Sequence, residues 1–450
     1  MPLTQVPAES LERDFFTWSG PDHVPGPKPA YKPTPDPETS SNHRPIPDPF
    51  PLLSQNISPS KRNRLLNAHR NNNRGKKAAT KRPDAEKTPL MIGFTRNWPQ
   101  LLQCVVSYIA AGWPPEDILV VENTGAMHSN RDGRLTLQNP FYLNHTQLGM
   151  LGVSVLETPT LLTFAQLQNF YAWTALENSW PEYFWSHQDL LVFSPSSPTH
   201  PSPTLHDNAL NVLRYLRQPT TPKWAHHFFA YDHLTLVHRD AILAIGGWDT
   251  HIPYYATDCD MYARLMWAGY WQGETSIGII LDVSSVLTDV GALLRIPGIH
   301  ASFPGDKNSW PDAGSDELAA LLQMLDDMSL RIDEDERRRR KLVDMYGESW
   351  AHLVEVGRRM EEAKLADEGG RNTWQTRQTG GQGEPFAKDP EGFEIGVRMF
   401  IDAGRSVFAE KWGHRGCDIA PMGIKGEDAW RLQRDWDPET EGAGFEGPEW

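Results

Sequence analysis

Four short polar clusters in this sequence of 450 residues carry side chains that could bind a ligand or accept a proton. Three of them follow apolar runs, and the fourth begins a helical pattern. Carboxylates accept protons and hydrogen bonds, and imidazole can bind a metal ion. Taken singly, each cluster has an ordinary structural explanation, such as an aspartate that caps a helix. In chain order the clusters are Thr95-Arg96, Glu122-Asn123, His187-Gln188-Asp189 and Thr257-Asp258-Cys259-Asp260.

A strand–helix–strand unit must position the first two clusters. The apolar run from Leu90 to Phe94 predicts a strand, residues 101–109 have helical periodicity, and residues 118–121 form a second apolar run. Continuous apolar strands of this kind predict a parallel sheet that is covered on both faces. Because ligands bind at the carboxyl ends of the strands in such sheets, we expect the first three clusters at one edge.

Later segments extend this prediction. We expect a helix over residues 163–178, and a third strand from Tyr183 that breaks at His187-Gln188-Asp189 before the apolar run 190–193. Strand-like residues also lie at 234–237 and 277–290, and residues 258–268 predict another helix. The predicted fold class is therefore α/β, with a mixed, mostly parallel sheet and helices on both faces.

Charge and composition exclude several classes of protein. The 43 basic and 58 acidic residues give a net charge of −15, which argues against nucleic-acid binding because that requires a basic surface. Three cysteines are too few for a disulfide scaffold or a multi-cysteine zinc ribbon. No run of about 18 apolar residues occurs, so we expect no membrane span. The Pro-rich, acidic N-terminus does not have the pattern of a signal peptide.

Shifts in composition divide the chain around residues 88–312, which carry the α/β pattern. We expect residues 1–87 to be disordered, first Pro-rich and then basic. The remaining segments are a charged helical extension (313–368), a Gly/Gln-rich linker (369–390), a helix with the Lys411-Trp412-Gly413 segment that packs on the core (391–434), and a disordered tail (435–450).

The order of the clusters resembles the GT-A glycosyltransferases, especially the family-2-like inverting group that uses nucleotide sugars. In that family a strand, a Thr-Arg loop and a helix precede a strand that ends in Asp-Asn; here the sequence is MIGFTRNWPQLL…ILVVENTG. The resemblance covers about residues 88–301 and implies the Rossmann-like fold of nucleotide-diphospho-sugar transferases. It also implies that Thr95, Arg96, Glu122 and Asn123 bind the donor nucleoside, with Glu122 in place of the usual Asp.

The same resemblance implies a metal site. The family carries Asp-x-Asp at a strand end, where this chain has His187-Gln188-Asp189. Asp189 would bind a divalent metal and His187 would be a second ligand. Mn²⁺ is favoured over Mg²⁺ because Mg²⁺ prefers oxygen ligands. His300 and His414 are weaker candidates for a late ligand.

The strongest likeness is GGWDTHIPYYATDCDMYARLMWAGY, which matches the Gly-Gly-aromatic-Asp turn and the Glu-Asp-x-Asp helix of the family, with Thr257 in place of the Glu. It implies that Asp258 is the general base, that Asp260 orients neighbours or the acceptor, and that Trp248 stacks on a sugar. Because a helix N-terminus lowers the pKa of a carboxylate, Asp258 would need apolar surroundings to act near neutral pH.

The resemblance implies transfer of a sugar, most simply from a UDP-sugar, to a hydroxyl of a glycan or other acceptor with inversion. Two alternatives remain open: a sugar-nucleotide pyrophosphorylase, although no Gly-rich run follows the first strand, and a non-catalytic sugar-binding or scaffold protein, favoured by the altered residues His187, Thr257 and Glu122. The Pro-rich segment before Thr88 would suit the stem of a fungal-type enzyme of the secretory pathway or Golgi. Because the chain shows no anchor, a cytosolic location is also open.

Overall fold

The computed structural model describes residues 24–33, 87–196, 203–306, 349–366, 380–384 and 390–437. Most of the predicted N-terminal disordered segment, much of the charged extension and linker, and nearly all of the predicted tail lie outside these residues. The predicted α/β region and the predicted C-terminal helix lie largely within them.

A seven-stranded sheet in the order β3-β2-β1-β4-β7-β6-β8 forms the centre of the molecule. Strands β1 to β4 run parallel to one another, β7 is antiparallel to both β4 and β6, and β8 is parallel to β6. The predicted mixed, mostly parallel sheet is therefore confirmed. The seven strands are β1 (Leu90–Phe94), β2 (Ile118–Glu122), β3 (Ser154–Glu157), β4 (Glu182–Ser186), β6 (Trp224–Ala230), β7 (Leu234–His238) and β8 (Trp271–Glu274).

Helices cover both faces of this sheet because successive strand residues point to opposite sides. Leu90 and Ile92 face one core with α1 and α5, whereas Met91 faces another with α4, α6 and α7. No helix among the described residues is both long and apolar enough to cross a membrane. The helices are α1 (Trp98–Ala110), α2 (Met127–Arg131), α3 (His145–Met150), α4 (Phe164–Glu177), α5 (Leu205–Leu216), α6 (Arg239–Ala244), α7 (Thr257–Trp267), α8 (Trp350–Ala366) and α9 (Pro390–Trp412).

Side-chain caps explain where three of these helices begin. Thr163 and Thr204 form capping boxes with Gln166 and Asp207 at the starts of α4 and α5. Asn97 caps α1 from a left-handed backbone conformation, with φ of 73°. These polar residues satisfy backbone N–H groups that have no partner within the helix.

The apolar run that follows β4 leaves the main sheet. It forms β5 (Leu190–Phe193), which pairs in antiparallel fashion with β9 (Ile279–Asp282) in a separate two-stranded sheet. Helix α8 packs against this small sheet in a core with Leu191 and Leu281. The pairing of Leu190 with Asp282 puts residue 189 and residue 282 at the same end of the small sheet.

The C-terminal segment packs on α7 through a core that includes Phe408 and Trp412. A disulfide between Cys259 and Cys417, 158 residues apart, joins α7 to this segment; the cysteine count had not predicted it. Residues 24–33, expected to be disordered, lie along the same segment, where Tyr31 forms an antiparallel bridge with Leu432. Lys28 also makes an ion pair of 2.8 Å with Asp428.

We expect Phe408→Ala to lower the free energy of unfolding by about 3–5 kcal/mol, because the side chain is fully buried between α7 and α9. Phe400→Ala is the matched control on the same helix: its ring is 55% exposed, and its removal should cost less than about 0.5 kcal/mol. Urea unfolding of both variants measures the difference. Equal effects would contradict the docking of α9 through its Phe408 face.

Candidate functional site

The structure joins the two predicted acids, Asp189 and Asp258, through the tip of the β6–β7 hairpin. The Asp258 carboxylate accepts a hydrogen bond of 2.8 Å from the hydroxyl of Tyr231. His233 follows Tyr231 by two residues at this hairpin tip, and the centroid of its ring lies 5.5 Å from that of His187. His187 Nδ1 lies 3.7 Å from Asp189 Oδ1. These residues form one polar row at the carboxyl ends of β4 and β6.

Asp258 is the second residue of α7, and its side chain is half-buried. Burial raises the pKa of this carboxyl above its ordinary value, although the Tyr231 hydroxyl and the backbone N–H groups of Asp258 and Cys259 lower it. The burial effect is larger than the effect of the helix N-terminus. A raised pKa is the direction that a general base at this position requires, and that role stays a prediction.

A second carboxylate, Asp232, lies at the hairpin tip beside Asp258. Burial, together with the charge of Asp258, raises the pKa of Asp232 to about 7, although the charge of His233 acts in the opposite direction. The charge of Asp258 therefore disfavours the charged form of Asp232. The sequence offered a signal for this pair, since Tyr231-Asp232-His233 are three polar residues between two apolar strands, but the prediction did not include them.

Asp189 is 3% exposed and binds a buried lysine. Lys364 of α8 lies with its Nζ 2.8 Å from Asp189 Oδ2 and 2.5 Å from Asp282 Oδ1. Burial alone would lower the pKa of Lys364, but the two carboxylates outweigh it and raise the pKa. Burial likewise opposes the charged form of Asp189, yet Lys364 holds its pKa below the ordinary value.

These contacts do not support the predicted divalent-metal site at His187 and Asp189. The Asp189 carboxylate is already paired with an ammonium group, and no cluster of three or more His, Cys, Asp or Glu in the described part of the chain could hold a metal ion. Burial lowers the pKa of His187 to about 4, so its imidazole is in the neutral form that can bind a metal, and the objection to the site is the pairing of Asp189. The predicted metal site thus consists of one imidazole and one carboxylate, and that carboxylate already has an ammonium partner.

The two late histidines do not complete such a site. His300 is exposed. His414 lies between Asp418, at 2.7 Å, and Asp435 in the C-terminal segment, where it acts as a cation for two carboxylates. Its role is therefore to stabilise the fold of the segment that follows α9.

The residues at the end of β2 make internal contacts. Glu122 is fully buried, and its carboxylate accepts a hydrogen bond of 2.8 Å from Asn130 and lies 2.7 Å from His145 Nε2. Asn123 is 3% exposed and donates to the carbonyl oxygen of Leu162 at 2.8 Å. Both predicted nucleoside-binding residues thus position the loops after β2 in this structure.

The Thr95-Arg96 loop after β1 contacts the loop that carries Asp189. Gln188 donates a hydrogen bond of 2.6 Å to the carbonyl oxygen of Arg96, and its own amide oxygen accepts one from the Thr95 backbone. The Arg96 guanidinium is 1% exposed and lies over the ring of Phe393 in α9, 4.6 Å from its centroid. Burial lowers the pKa of Arg96 to about 10, so the group remains charged at neutral pH.

Asp260 has a structural environment. Its carboxylate is fully buried and lies 2.6 Å from Lys411 Nζ and 2.7 Å from Arg264 Nε. Lys411 also binds Asp249 at 2.7 Å. These contacts agree with the prediction that Asp260 orients its neighbours. They fix α9 on the Gly-Gly-Trp-Asp turn, and none of them leaves the carboxylate open to an acceptor.

Trp248 lies in the core and not on an open sugar-binding surface. Its side chain is 3% exposed and packs edge-on against Phe164, with ring centroids 5.6 Å apart, and against Tyr262 at 6.0 Å. The predicted stacking on a sugar face is therefore not supported by its position. Its backbone N–H and carbonyl both bind Asn169, which fixes the turn against α4.

Comparisons with known proteins add little to this geometry. No family model matches the sequence, and no curated protein matches it. Among solved structures the chain is similar to the mannosyltransferase PcManGT from Pyrobaculum calidifontis in complex with GDP-Man and Mn²⁺, at 14% identity and a TM-score of 0.30. The match covers 50% of this chain and 66% of that chain. A TM-score this low carries no argument about the activity of this chain.

We expect Asp260→Asn and Asp258→Asn to differ in stability although the two residues share one helix. Asp260→Asn leaves Lys411 and Arg264 without their shared carboxylate and should cost about 3 kcal/mol of unfolding free energy. Asp258→Asn removes a charge that burial disfavours and should change stability by less than about 1 kcal/mol. Urea unfolding at neutral pH measures both values. A larger loss of unfolding free energy for Asp258→Asn than for Asp260→Asn would contradict the assignment of Asp260 as the carboxylate that stabilises the fold.

We expect the stability that His414 contributes to decrease as the pH rises. Burial alone would lower the pKa of His414, but Asp418 and Asp435 raise it from 6.5 to about 9. A raised folded-state pKa gives a contribution that is complete below pH 6.5 and is lost as the pH rises through about 9. The difference in melting temperature between the wild type and His414→Gln should therefore shrink over this interval. A difference that stays constant with pH would refute the doubly paired histidinium.

Proposed function

We propose that this chain is a glycosyltransferase that moves a sugar from a nucleotide-sugar donor to a hydroxyl acceptor, with Asp258 as the general base. The observation that carries the proposal is the environment of Asp258. This carboxylate is half-buried at a helix N-terminus, its pKa is raised by burial, and it lies at the strand-end edge of a mixed α/β sheet, where ligands bind in such folds.

The proposed reaction is a single displacement. The acceptor oxygen forms a bond to the anomeric carbon, the bond from that carbon to the phosphate oxygen breaks, and its electron pair leaves with the nucleoside diphosphate. Asp258 takes the proton of the acceptor hydroxyl. Its hydrogen bond from Tyr231 fixes one carboxylate oxygen, so the other oxygen is the proton acceptor in this scheme.

The donor would bind along the edge that runs from the Thr95-Arg96 loop to the hairpin tip. Arg96 supplies a permanent positive charge there, and its contact with Phe393 would have to open for the guanidinium to reach a phosphate. Thr95 is half-buried, whereas the side chains at the end of β2 are buried. We assign Glu122 and Asn123 a positioning role for the donor loops. A UDP-sugar remains the first donor to test.

The second candidate is a non-catalytic protein with the same sheet. The specific observation in its favour is that Glu122, Asn123, Asp260 and Trp248 all make their contacts within the protein. Nucleotide binding separates the two candidates, since a transferase must bind its donor. Location belongs to the same proposal: the Cys259–Cys417 disulfide supports an oxidising compartment, because disulfides persist mainly there.

We expect Asp258→Asn to lower the turnover of nucleotide sugars by about 10²- to 10⁴-fold, because the variant lacks a proton acceptor. A panel of UDP- and GDP-sugars, assayed for hydrolysis and for transfer to hydroxyl acceptors, identifies the donor and gives the rate. Asp402→Asn, at an exposed position of α9, is the matched control and should retain full turnover.

Calorimetry with UDP and GDP accompanies the assay. Unchanged nucleotide affinity in Asp258→Asn, combined with lost turnover, supports a base that acts in chemistry. Equal turnover in the wild type and Asp258→Asn contradicts the role of Asp258. A product with retained anomeric configuration contradicts the single displacement, and the absence of nucleotide binding favours the non-catalytic candidate.

A further inference from the structure

Lys364 occupies an unusual position on its helix. The buried stripe of α8 includes Leu353, Val356 and Met360, and Lys364 continues this stripe one turn later. An apolar residue would be expected at that position, since lysine is almost never fully buried without a charged partner. Lys364 is only 2% exposed, and its ammonium reaches two carboxylates of other elements.

Both carboxylates lie at the end of the small sheet that adjoins the candidate site. Asp189 precedes β5 and Asp282 ends β9, and the Val283 backbone N–H donates to the Asp189 carbonyl oxygen at 2.9 Å. The backbone N–H of Asp282 in turn donates to Glu361 of α8 at 3.1 Å. The two acids and the lysine are thus fixed relative to one another by backbone hydrogen bonds and by α8.

We propose that the Lys364 ammonium is the resident cation of this site, bound between Asp189 and Asp282 in the place that the family resemblance gives to a divalent metal, so that the site works without one. The role of this cation in sugar transfer rests on the proposed function. The exclusion of a metal ion rests only on the two ion pairs.

Charge and space both support this assignment. A single positive charge between two carboxylates leaves one net negative charge, and the ammonium binds one oxygen of each carboxylate. A metal ion that displaced Lys364 from its two partners would leave a buried ammonium unpaired, which is strongly destabilising. Asp189 therefore binds Lys364 and is not a free ligand.

Electron paramagnetic resonance of Mn²⁺ tests the proposal directly, because bound Mn²⁺ loses the sharp signal of the free ion. We expect the wild type to leave the free signal unchanged. Lys364→Met removes the ammonium and leaves the carboxylates of Asp189 and Asp282 without their cation, so its affinity for Mn²⁺ should increase about 10- to 100-fold. Lys364→Arg keeps the charge and should show no increase, and neither should Lys32→Met at an exposed position.

Two results would overturn the proposal. One is Mn²⁺ binding by the wild type that Asp189→Asn abolishes, and this measurement remains decisive if Lys364→Met fails to fold. The other is a folded Lys364→Met variant, verified by circular dichroism, with no gain in Mn²⁺ affinity.

Calorimetry separates this proposal from the proposed function. UDP or GDP should bind with equal affinity in EDTA and in Mn²⁺, and binding that requires Mn²⁺ overturns the resident-cation assignment. If neither nucleotide binds under either condition, the proposed function fails, and the Mn²⁺ signals of the wild type and Lys364→Met still decide whether Lys364 excludes the metal.

Discussion

A buried charge must have a partner of opposite sign. In this structure two lysines are the partners of buried carboxylates around the candidate site. Lys364 binds Asp189 and Asp282, and Lys411 binds Asp249 and Asp260. Each lysine comes from a helix near the C-terminus, and each pair of carboxylates comes from the α/β region. The strand ends and α7 are therefore oriented by ion pairs that the central sheet does not supply.

This arrangement explains why the motif acids have different environments. Asp260 and Asp189 are charge partners of lysines, so their carboxylates contribute to stability. Asp258 differs from both, because its carboxylate accepts a hydrogen bond from the Tyr231 hydroxyl and burial raises its pKa. In the proposed function the proton acceptor is therefore Asp258, whose partner among the described residues is a hydroxyl and not an ammonium.

The sequence was sufficient to predict β1, β2, β4 and β7, because these strands contain apolar runs that local patterns reveal. It did not predict β3, β6 and β8, whose residues are more mixed. The sequence also singled out Asp258 as a candidate base, because the residues around it form a local motif, and that role stays a prediction. It did not predict that the run after His187-Gln188-Asp189 pairs with β9, since strand pairing between distant segments leaves no local pattern. Trp248 shows the same limit: its type suits a sugar face, but its neighbours place it in the core.

Lys364 could not be recognised as a site residue because it follows a heavily charged segment and has the appearance of a solvated position. Only its spacing from Met360 on the buried stripe of α8 marks it, and its partner Asp189 lies 175 residues away. Tyr231, Asp232 and His233 were missed for a simpler reason, since a hairpin tip of polar residues is the common form of a surface turn.

The disulfide between Cys259 and Cys417 has a consequence for how the chain responds to cleavage. Cys259 lies between Asp258 and Asp260, so the covalent link begins within the motif itself and closes a ring between two residues 158 positions apart. A protease that cuts anywhere inside this ring produces two fragments that migrate together until a reductant separates them. The helix that carries Asp258 thus stays attached to the C-terminal segment even when the backbone between them is broken.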